Sequence, residues 1–547
     1  MSPAALFRLA RIYGAVLLAL VLAVSLVPSV DRHPHEPLTS VVSVWQGGER
    51  KARKITDRPE RALEKESRVR GATRVIEDVL DEGPVIVAIP QLFGLSFVAG
   101  ADGVKATYDD RTAYATPSDL LKLRAYDAFV ETPGIGFLRF GVNPELVQTH
   151  LAEELGVGRE ELLAHGSFRR VAMRRRTPPE PDPPVNQDTL RTAAIAAGQY
   201  LARAVREDGS YNYEIDAATG EESPDYNWPR HSGATWYLAD VAIYTNDAFM
   251  KRAAARAATR LTGYALVDCG PHRCIAEGNR ADLGSSALGL LALVEIAEGN
   301  VAPELTGAVR QLADFLVSQQ RPDGEFKHFY DREARRAVDR QVLYYTGEAA
   351  FALGRAARLL QEPRYLTAAS RALRVLVERP AWYIGWRYFW GAEHWTCHAM
   401  NELWDRAPDP EALRFCLDWQ ESIRDTAVYD RESNPDYDGA TSGGPMVPPS
   451  LGGSASRMEA AVSTLIAARK AGISAAELAK LESGLRDTLG FLMRYQFVPG
   501  PRHIMPNPGM MHGGFPQSTT NLKVRIDQPQ HAGTAVLHYL EYLEGRH

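Results

Sequence analysis

The pattern of apolar and polar residues divides the chain into two parts of different character. From Thr189 onward, apolar residues recur at helical spacing in twelve segments, with no convincing strand between them. Before that point the pattern is mixed. The run VIVAIPQLFG (85–94) predicts a strand, PSDLLKLRAY (117–126) a capped helix, FLRFGV (137–142) a second strand, and a further helix is expected from about Pro144. A small α+β domain followed by a large helical domain is therefore expected.

The connections between the twelve predicted helices alternate in length. Short turns precede the third, fifth, seventh, ninth and eleventh helices, whereas long loops rich in glycine and aromatic residues precede every even-numbered helix. A helix followed by an Asp-Gly turn occurs twice, at Asp208 and Asp323, 115 residues apart. Long loops on one face of a compact fold usually carry function. We predict a closed ring of six helical hairpins with the even-numbered helices inside. The helices are expected at residues 189–205, 233–244, 248–264, 283–297, 303–320, 342–360, 364–378, 394–404, 410–426, 456–471, 475–496 and 530–543.

This alternation over residues 187–547 resembles the (α/α)6 toroid. That fold is shared by sugar 2-epimerases, many glycoside hydrolases and polysaccharide lyases, and terpene cyclases of the squalene–hopene type. The resemblance implies a mainly α fold class, in which inner helices present their N-terminal ends to a central site. The DxDD motif of the cyclases is absent from this chain. In the first domain, GADGVKAT and RTAYATPSDL resemble an AMMECR-type α+β domain, but the R-G-C-I-G-T stretch of that family is missing.

The predicted domain boundaries follow from these patterns. Residues 1–30 form a signal peptide or signal anchor, and the polar residues from there to about Asp57 are expected to be extended. Residues 58–173 form the small α+β domain and residues 174–186 a stiff proline-rich linker. Residues 187–547 form the toroid.

The N-terminal segment predicts export. Arg8 and Arg11 precede a dense apolar run of about 16 residues, which is short for a transmembrane helix and fits a secretory segment. No A-x-A cleavage site is present, so an uncleaved anchor is favoured over a cleaved signal peptide. The expected location is outside the cytoplasm, in the periplasm or an equivalent compartment, either anchored in the membrane or secreted.

The four cysteines agree with an oxidising compartment. Cys269 and Cys274 bracket a Gly-Pro turn and predict a local disulfide, while Cys397 and Cys416 lie on consecutive predicted helices and are able to face each other. Metal binding at the first pair, with His272, is the rival interpretation. No second CxxC or histidine pair has ligand spacing, so neither a metal nor another cofactor is predicted.

Charge excludes one class of partner. The net charge is −6, and no block of Lys and Arg residues is interleaved with aromatic residues. Nucleic-acid binding is therefore not expected. A carbohydrate or another anionic polymer, the membrane through the N-terminal segment, and a protein partner of the first domain are the expected partners.

Polar residues crowd the starts of the even-numbered helices, most densely in VRIDQPQH before the twelfth. Side chains there would point to one rim of the ring. Histidines and carboxylates supply proton transfer, while arginines and helix N-termini favour anions. The predicted catalytic residues are His231, Glu393, His394, Asp527 and His531. The predicted substrate-binding residues are Arg230, Trp236, Asp282, Tyr345, Arg457, Glu459, His512, Arg525 and Gln528.

Each of these residues also has a structural interpretation. Asp282 serves equally well as a helix cap, and Glu348 and Glu459 as partners of structural ion pairs. His398 fits a buried core histidine, and an isolated His394 or His531 would also be structural. The recurrence of charged or imidazole groups at several inner helix starts favours a functional centre.

Two functions of different classes are consistent with this centre. The first is an exported or membrane-anchored carbohydrate-active enzyme, a hydrolase, lyase or epimerase, acting on a neutral or acidic glycan of the cell envelope or the extracellular space. The tryptophans near the rim suit stacking on sugar rings. The second is a non-catalytic glycan-binding or assembly protein. A terpene-cyclase-like enzyme is a further alternative.

Overall fold

The chain forms two compact units, Met1–Pro179 and Glu180–His547. A computed structural model describes residues 39–58, 61–62, 65, 74–86, 93, 102–126, 142–175, 182–378, 394–429, 436–442, 449–498 and 502–546. The predicted signal or anchor segment lies outside these ranges. No helix within them has both the length and the apolar character that a bilayer span requires.

A six-stranded antiparallel sheet forms the centre of the first unit. Its strands are Thr39–Gln46 (β1), Glu49–Thr56 (β2), Arg74–Ile86 (β3), Asp102–Tyr108 (β4), Arg111–Ala115 (β5) and Ser167–Arg175 (β6), in the order β2–β1–β3–β6–β4–β5. The helices are Pro117–Lys122 (α1), Pro144–Leu155 (α2) and Arg159–His165 (α3). Apolar side chains of α2 pack on β4 and β5. The unit is an α+β fold, as predicted.

The sheet differs from the sequence prediction at its edges. Residues 39–56 were expected to be extended outside the domain, but they form β1 and β2, and β1 is buried because it lies between β2 and β3. The strand predicted at 85–94 begins earlier, at Arg74, and the described part ends at Ile86. The strand predicted at 137–142 lies outside the described residues except for Val142.

The second unit is a ring of six helical hairpins, and it confirms the predicted toroid. The inner helices are Trp228–Thr245 (α5), Leu283–Glu298 (α7), Tyr345–Leu360 (α9), His394–Leu403 (α11), Leu451–Lys470 (α13) and Asp527–Glu544 (α16). Each packs against the next, and α16 packs against α5, which closes the ring. The outer helices are Gln187–Ala204 (α4), Ala248–Arg260 (α6), Thr306–Gln319 (α8), Pro363–Glu378 (α10), Pro410–Arg424 (α12) and Ala475–Tyr495 (α14), and a short helix, Pro508–Met511 (α15), precedes α16.

The residue pattern explains which helices lie inside. In α7 every residue from Leu283 to Ile296 is buried, because apolar and small residues surround the whole helix. In α6 only one stripe is buried, and its members are spaced by three or four residues. An inner helix therefore needs neighbours on all sides, whereas an outer helix needs a single neighbouring face.

In the described part of the toroid, the Asp-Gly turn occurs three times rather than twice. Gly209, Gly324 and Gly439 have φ values of 82°, 97° and 84°, a region that favours glycine. Each glycine lies against a backbone carbonyl of an outer helix, at Arg256, Arg371 and Asp487 respectively. The third turn extends the 115-residue repeat that the sequence shows at Asp208 and Asp323.

The loops of the toroid contain short β-strands. The absence of strands in the toroid was predicted wrongly, because short strands line its loops. Among the described residues these are Glu214–Asp216 (β7), Leu266–Cys269 (β8), His272–Glu277 (β9), Arg280–Asp282 (β10), Phe329–Asp331 (β11), Arg336–Val338 (β12) and Lys523–Arg525 (β13). Strands of three to six residues are too short to give a period-2 signal.

The disulfide predictions are confirmed: Cys269 pairs with Cys274, and Cys397 pairs with Cys416.

Candidate functional site

The site lies where the N-terminal ends of the inner helices meet inside the ring. The loops on this side include the β7–β13 pair, in which Arg525 lies opposite Glu214. Helix α16 begins directly after β13 and has no side-chain cap at Ile526. The polar residues of VRIDQPQH therefore serve purposes other than capping this helix.

The first group in the site is a carboxylate held between two arginines. Asp527 Oδ1 and Oδ2 accept hydrogen bonds from Nε and Nη2 of Arg525, at 2.7 and 2.9 Å. Asp527 Oδ2 also accepts from Nε of Arg230 at 2.9 Å, and Nη1 of Arg230 donates to the hydroxyl of Tyr213 at 2.9 Å. The group thus joins α5, α16 and β13 across the point where the ring closes.

This group carries a net positive charge. Burial disfavours the charged carboxylate, but the hydrogen bond and charge of Arg525 and the charge of Arg230 outweigh it and lower the pKa of Asp527. The Arg230 and Arg525 side chains remain 36% and 26% exposed. Two guanidinium groups on one ionised carboxylate suit an anionic or oxygen-rich ligand.

The second group is a glutamate surrounded by three histidines. Glu459, on α13, has no exposed surface. Its Oε2 atom lies 3.1 Å from Nδ1 of His531, 3.6 Å from Nε2 of His398 and 3.7 Å from Nε2 of His394. The ring centroids of His394 and His531 are 5.4 Å apart. Two inner helices, α11 and α16, thus bring three imidazoles to one carboxylate oxygen on a third inner helix, α13.

Neighbouring polar groups fix the orientation of this cluster. The side-chain amide of Gln530 donates to Oε1 of Glu459 at 3.2 Å, which leaves Oε2 facing the histidines. The Ser463 hydroxyl lies 2.9 Å from Nδ1 of His398, so that Nε2 of this ring points towards Glu459.

The pKa values of Glu459, His531 and His398 are shifted in different directions. Burial opposes ionisation of Glu459, but the charge of His531, the polar contact with His398 at 3.6 Å and the hydrogen bond with His531 outweigh it and hold its pKa at about 2. Burial alone would lower the pKa of His531, yet the charge of Glu459 raises it. Burial dominates at His398 and lowers its pKa. The site therefore holds a protonated His531 beside a neutral His398 at a pH near 6.5.

Aromatic rings lie beneath the histidines. Trp236 is fully buried, and its ring packs against Phe351, Trp395, His398 and His538 at centroid distances of 5.7 to 6.3 Å. The indole was predicted to bind substrate. Because the indole is enclosed by other rings, we expect it to support the histidines by packing rather than to contact a ligand.

A third group lies at the starts of α7 and α9. Asp282 caps α7, accepting from the backbone N–H and hydroxyl of Ser285 at 2.7 and 2.9 Å. Burial, followed by the nearby charges of Asp282 and Glu348, raises the pKa of Tyr345. Burial and the charge of Asp282 also raise the pKa of Glu348 well above its usual range. Burial thus favours the protonated form of Glu348, whose carboxyl group lies close to Gly284.

His231, a predicted catalytic residue, is engaged elsewhere. Its Nδ1 atom accepts from the hydroxyl of Tyr226 at 2.7 Å, and its Nε2–H donates to the carbonyl of Ala257 at 2.9 Å. Burial lowers the pKa of His231 to about 4. The ring is neutral, both nitrogens are occupied, and it connects α5 to α6.

Three predicted binding residues take other positions. Arg457 is buried and donates to the backbone carbonyl of Thr441 at 2.9 Å, and burial lowers its pKa to about 10. Gln528 is buried against Gly452. His512 accepts a hydrogen bond from Arg203 through its backbone carbonyl. Glu393, a predicted catalytic residue, lies outside the described residues.

Several members of the site escaped the sequence prediction. Gln530 lies within the polar stretch that drew attention to α16, but it was not named. The sequence places His398 one turn from His394 on the same helix face, but His398 was interpreted as a core histidine and was not included among the predicted site residues. Tyr213 belongs to the segment after the first Asp-Gly turn, and nothing in its sequence context points to Arg230.

Sequence comparisons match only part of the chain to a known protein. No known family profile matches the chain. A curated relative, drimenyl diphosphate synthase from Streptomyces showdoensis, is 29% identical over 205 residues, which cover 36% of this chain and 36% of the relative. The chain therefore spans only about a third of that relative's length.

Structural comparisons agree on the fold. A D-mannose isomerase structure matches with a TM-score of 0.50 and 14% identity, covering 67% of this chain and 100% of its own. Cellobiose 2-epimerase from Bacillus thermoamylovorans B4167 matches with a TM-score of 0.51 and 12% identity, covering 65% of this chain and 100% of its own. At this identity the likeness shows the (α/α) toroid and nothing further.

Proposed function

We propose that the protein is an enzyme that moves protons at a carbon atom of a carbohydrate, as an epimerase or a lyase. The observation that carries this proposal is the pair formed by His394 and His531, whose rings are 5.4 Å apart beside the Glu459 carboxylate. Imidazoles exchange protons near neutral pH, and a pair on converging helices can serve as base and acid.

The reaction divides between the two imidazoles. His394 takes a proton from the carbon next to a carbonyl or carboxylate group, so that the C–H bond breaks and its electron pair forms an enolate. The protonated His531 then returns a proton. Return to the opposite face of the same carbon gives epimerisation. Delivery to a departing glycosidic oxygen gives elimination instead. Arg230 and Arg525 lie near His531 and supply positive charge for the enolate oxygen.

Hydrolysis receives less support from this geometry. Glycosidases use two carboxyl groups on opposite sides of the bond that breaks. Here Glu459 is enclosed by histidines and Asp527 by arginines, so neither is presented to a ligand as a free nucleophile. Within the histidine–glutamate cluster, His531 is the most accessible of these groups, because its side chain is 19% exposed, against 7% for His394 and none for Glu459.

The substrate class rests on the fold and the charge of the rim. The two compared enzymes are, by name, sugar-converting proteins of this fold, and we extend that class to this chain. The arginine pair favours a glycan that carries acidic groups. Together with the predicted N-terminal segment, this points to an exported or membrane-anchored enzyme acting on a cell-envelope or extracellular glycan, with the first unit available to a protein partner.

Solvent deuterium exchange tests the proposal. Purified protein, stripped of metal with EDTA, is incubated in D2O with reducing sugars and with uronate-containing oligosaccharides, and NMR follows deuterium at the acidic carbon. We expect incorporation that His394→Asn and His531→Asn each reduce by about 100-fold or more, while His272→Asn, at the start of β9, has no effect. If a sugar binds without exchange or turnover, the protein is the non-catalytic glycan-binding alternative.

A second candidate follows from the local similarity to drimenyl diphosphate synthase. Glu348 is a buried neutral carboxylic acid near Tyr344 and Tyr345, a combination suited to protonating a carbon–carbon double bond. Under this alternative, a linear isoprenoid diphosphate would be cyclised, and Glu348→Gln would abolish turnover while His394→Asn would not. The opposite pattern, with a sugar substrate, supports the primary proposal.

A further inference from the structure

The distances within the histidine–glutamate cluster fit a second use. From Oε2 of Glu459, the nearest nitrogens of His531, His398 and His394 lie at 3.1, 3.6 and 3.7 Å. One ligand atom from each of His394, Glu459 and His531 lies within 4.8 Å of the others. Two ligands bound to one tetrahedral ion at about 2.1 Å lie about 3.4 Å apart. The observed separations bracket that value.

The types of donor atom narrow the choice of ion. Imidazole nitrogens with one carboxylate oxygen suit Zn²⁺ and Co²⁺, whereas Mg²⁺ and Ca²⁺ prefer oxygen ligands. Glu459 is a fully buried carboxylate, and a carboxylate oxygen enclosed among imidazole nitrogens favours a cation. These imidazole nitrogens and the carboxylate oxygen would bind a transition-metal ion well and an alkaline-earth ion poorly.

His398 provides an independent observation. Its side chain is 2% exposed, and its Nε2 atom makes no hydrogen bond within the described part of the chain. That nitrogen faces Oε2 of Glu459, because Ser463 holds the other ring nitrogen. A buried polar atom without a hydrogen bond is costly, and a bound ion would satisfy it.

The groups around the cluster also match a metal centre. Metal-binding histidines and carboxylates usually have their second polar atom held by a neighbour, which fixes the direction of the ligand atom. Ser463 does this for His398, and Gln530 does it for Glu459. These contacts leave Nε2 and Oε2 directed at the same space.

We propose that His394, Glu459 and His531 form a binding site for one zinc-like divalent transition-metal ion, with His398 as a fourth ligand through its Nε2 atom. The ion and the proton compete for the same nitrogen atoms, so the proton transfer proposed above is expected of the metal-free protein. Binding itself does not depend on the reaction. The two proposals are therefore tested separately, one without substrate and one without metal.

Cobalt titration provides the test. Full-length protein is stripped with EDTA, dialysed, and titrated with Co²⁺ while the visible spectrum and the melting temperature are recorded. We expect one equivalent to bind with the intense absorption of tetrahedral Co²⁺, to raise the melting temperature, and to be displaced by Zn²⁺. Mg²⁺ should neither displace Co²⁺ nor raise the melting temperature.

Three variants separate the site from other histidines. Glu459→Gln and His398→Asn should each weaken Co²⁺ binding by about 10-fold to 100-fold or more, and circular dichroism checks that each remains folded. His272→Asn should bind like the unaltered protein. The proposal is overturned if the unaltered protein shows no tetrahedral Co²⁺ spectrum. It is also overturned if both folded site variants bind Co²⁺ as tightly as the unaltered protein.

Discussion

The carboxylate of Glu459 lies 3.1 Å from the imidazole of His531, although the two residues belong to different inner helices and are 72 positions apart in the chain. Glu459 lies in the third turn of α13 and His531 in the second turn of α16. The contact joins the fifth and sixth inner helices. It gives the site a buried negative charge, whose removal should affect both stability and chemistry.

A double-mutant cycle measures this contact. Removing one partner of a buried ion pair costs about 3–5 kcal/mol, because the other charge is left unpaired. Glu459→Gln and His531→Asn should each lower the melting temperature, whereas the double variant should lose less than the sum. Unfolding is followed at pH 6 in EDTA. Strict additivity would show that the two side chains do not interact.

The fold was predictable because its signals are repeated along the chain. The twelve helices were predicted close to their observed bounds, and the alternation of loop lengths correctly separated inner from outer helices. The third Asp-Gly turn was missed because its tail, beginning at Ala440, lacks the aromatic residue that marked the first two. The strands β8 and β9 were missed because each is shorter than seven residues.

The site was predictable only in part, since helix position does not determine which way a side chain points. His394 and His531 converge, as expected for residues at the starts of inner helices. His231 has the same kind of position, yet its ring points outward to Ala257 on α6. Arg457 likewise points to Thr441 rather than to the centre. Such differences of direction around a helix depend on tertiary packing, which one sequence does not display.

The glycines of the Asp-Gly turns should be irreplaceable. At Gly439 an added Cβ atom would lie 2.4 Å from the backbone carbonyl oxygen of Asp487, whereas at Gly472, where φ is 75°, it would meet nothing within 4 Å. Gly472→Ala should therefore cost only the left-handed backbone strain, about 1–2 kcal/mol. Gly439→Ala should lower the melting temperature considerably more. Equal losses in the two variants would contradict the close approach.

Glu348 should make the protein less stable as pH rises. Burial and the charge of Asp282 raise the pKa of Glu348 in the folded state. The unfolded chain therefore ionises first, near the ordinary pKa of about 4.3, and the folded state loses stability above that pH. Glu348→Gln should raise the melting temperature, with a gain that grows from pH 5 to pH 8. A gain independent of pH, or a loss at pH 8, would refute this explanation.

The pair of His538 and Asp240 should show the opposite dependence. Nε2 of His538 lies 2.9 Å from Oδ2 of Asp240. Burial would lower the pKa of His538, but the hydrogen bond and charge of Asp240, with the charges of Glu541 and Glu459, raise it to about 9. Because the folded pKa is raised, the contribution is complete below about pH 6.5 and disappears as pH rises through about 9.

His538→Asn measures that contribution. A rise of about 2.5 in pKa corresponds to about 3 kcal/mol at low pH. The melting temperatures of the variant and the unaltered protein should differ most near pH 6 and approach each other above pH 9. His272→Asn, as a matched control, should show no such trend. A difference that stays constant from pH 6 to pH 10 would mean that packing, rather than charge, is responsible.

Arg525 should contribute to ligand affinity more than to folding. Its guanidinium group is one of two that hold Asp527, and Arg230 keeps its own bond to that carboxylate when Arg525 is replaced. Arg525→Gln should therefore change the melting temperature little. A charge-assisted hydrogen bond to a ligand contributes about 1.5–3 kcal/mol, so binding of an acidic sugar should weaken by about 10-fold to 150-fold.

The control for this prediction is Arg206→Gln, which removes the ion pair with Glu222 on an exposed loop. Calorimetry with an acidic and a neutral oligosaccharide decides the matter: weakening confined to the acidic ligand is the expected result, and unchanged affinity for both would remove Arg525 from the site.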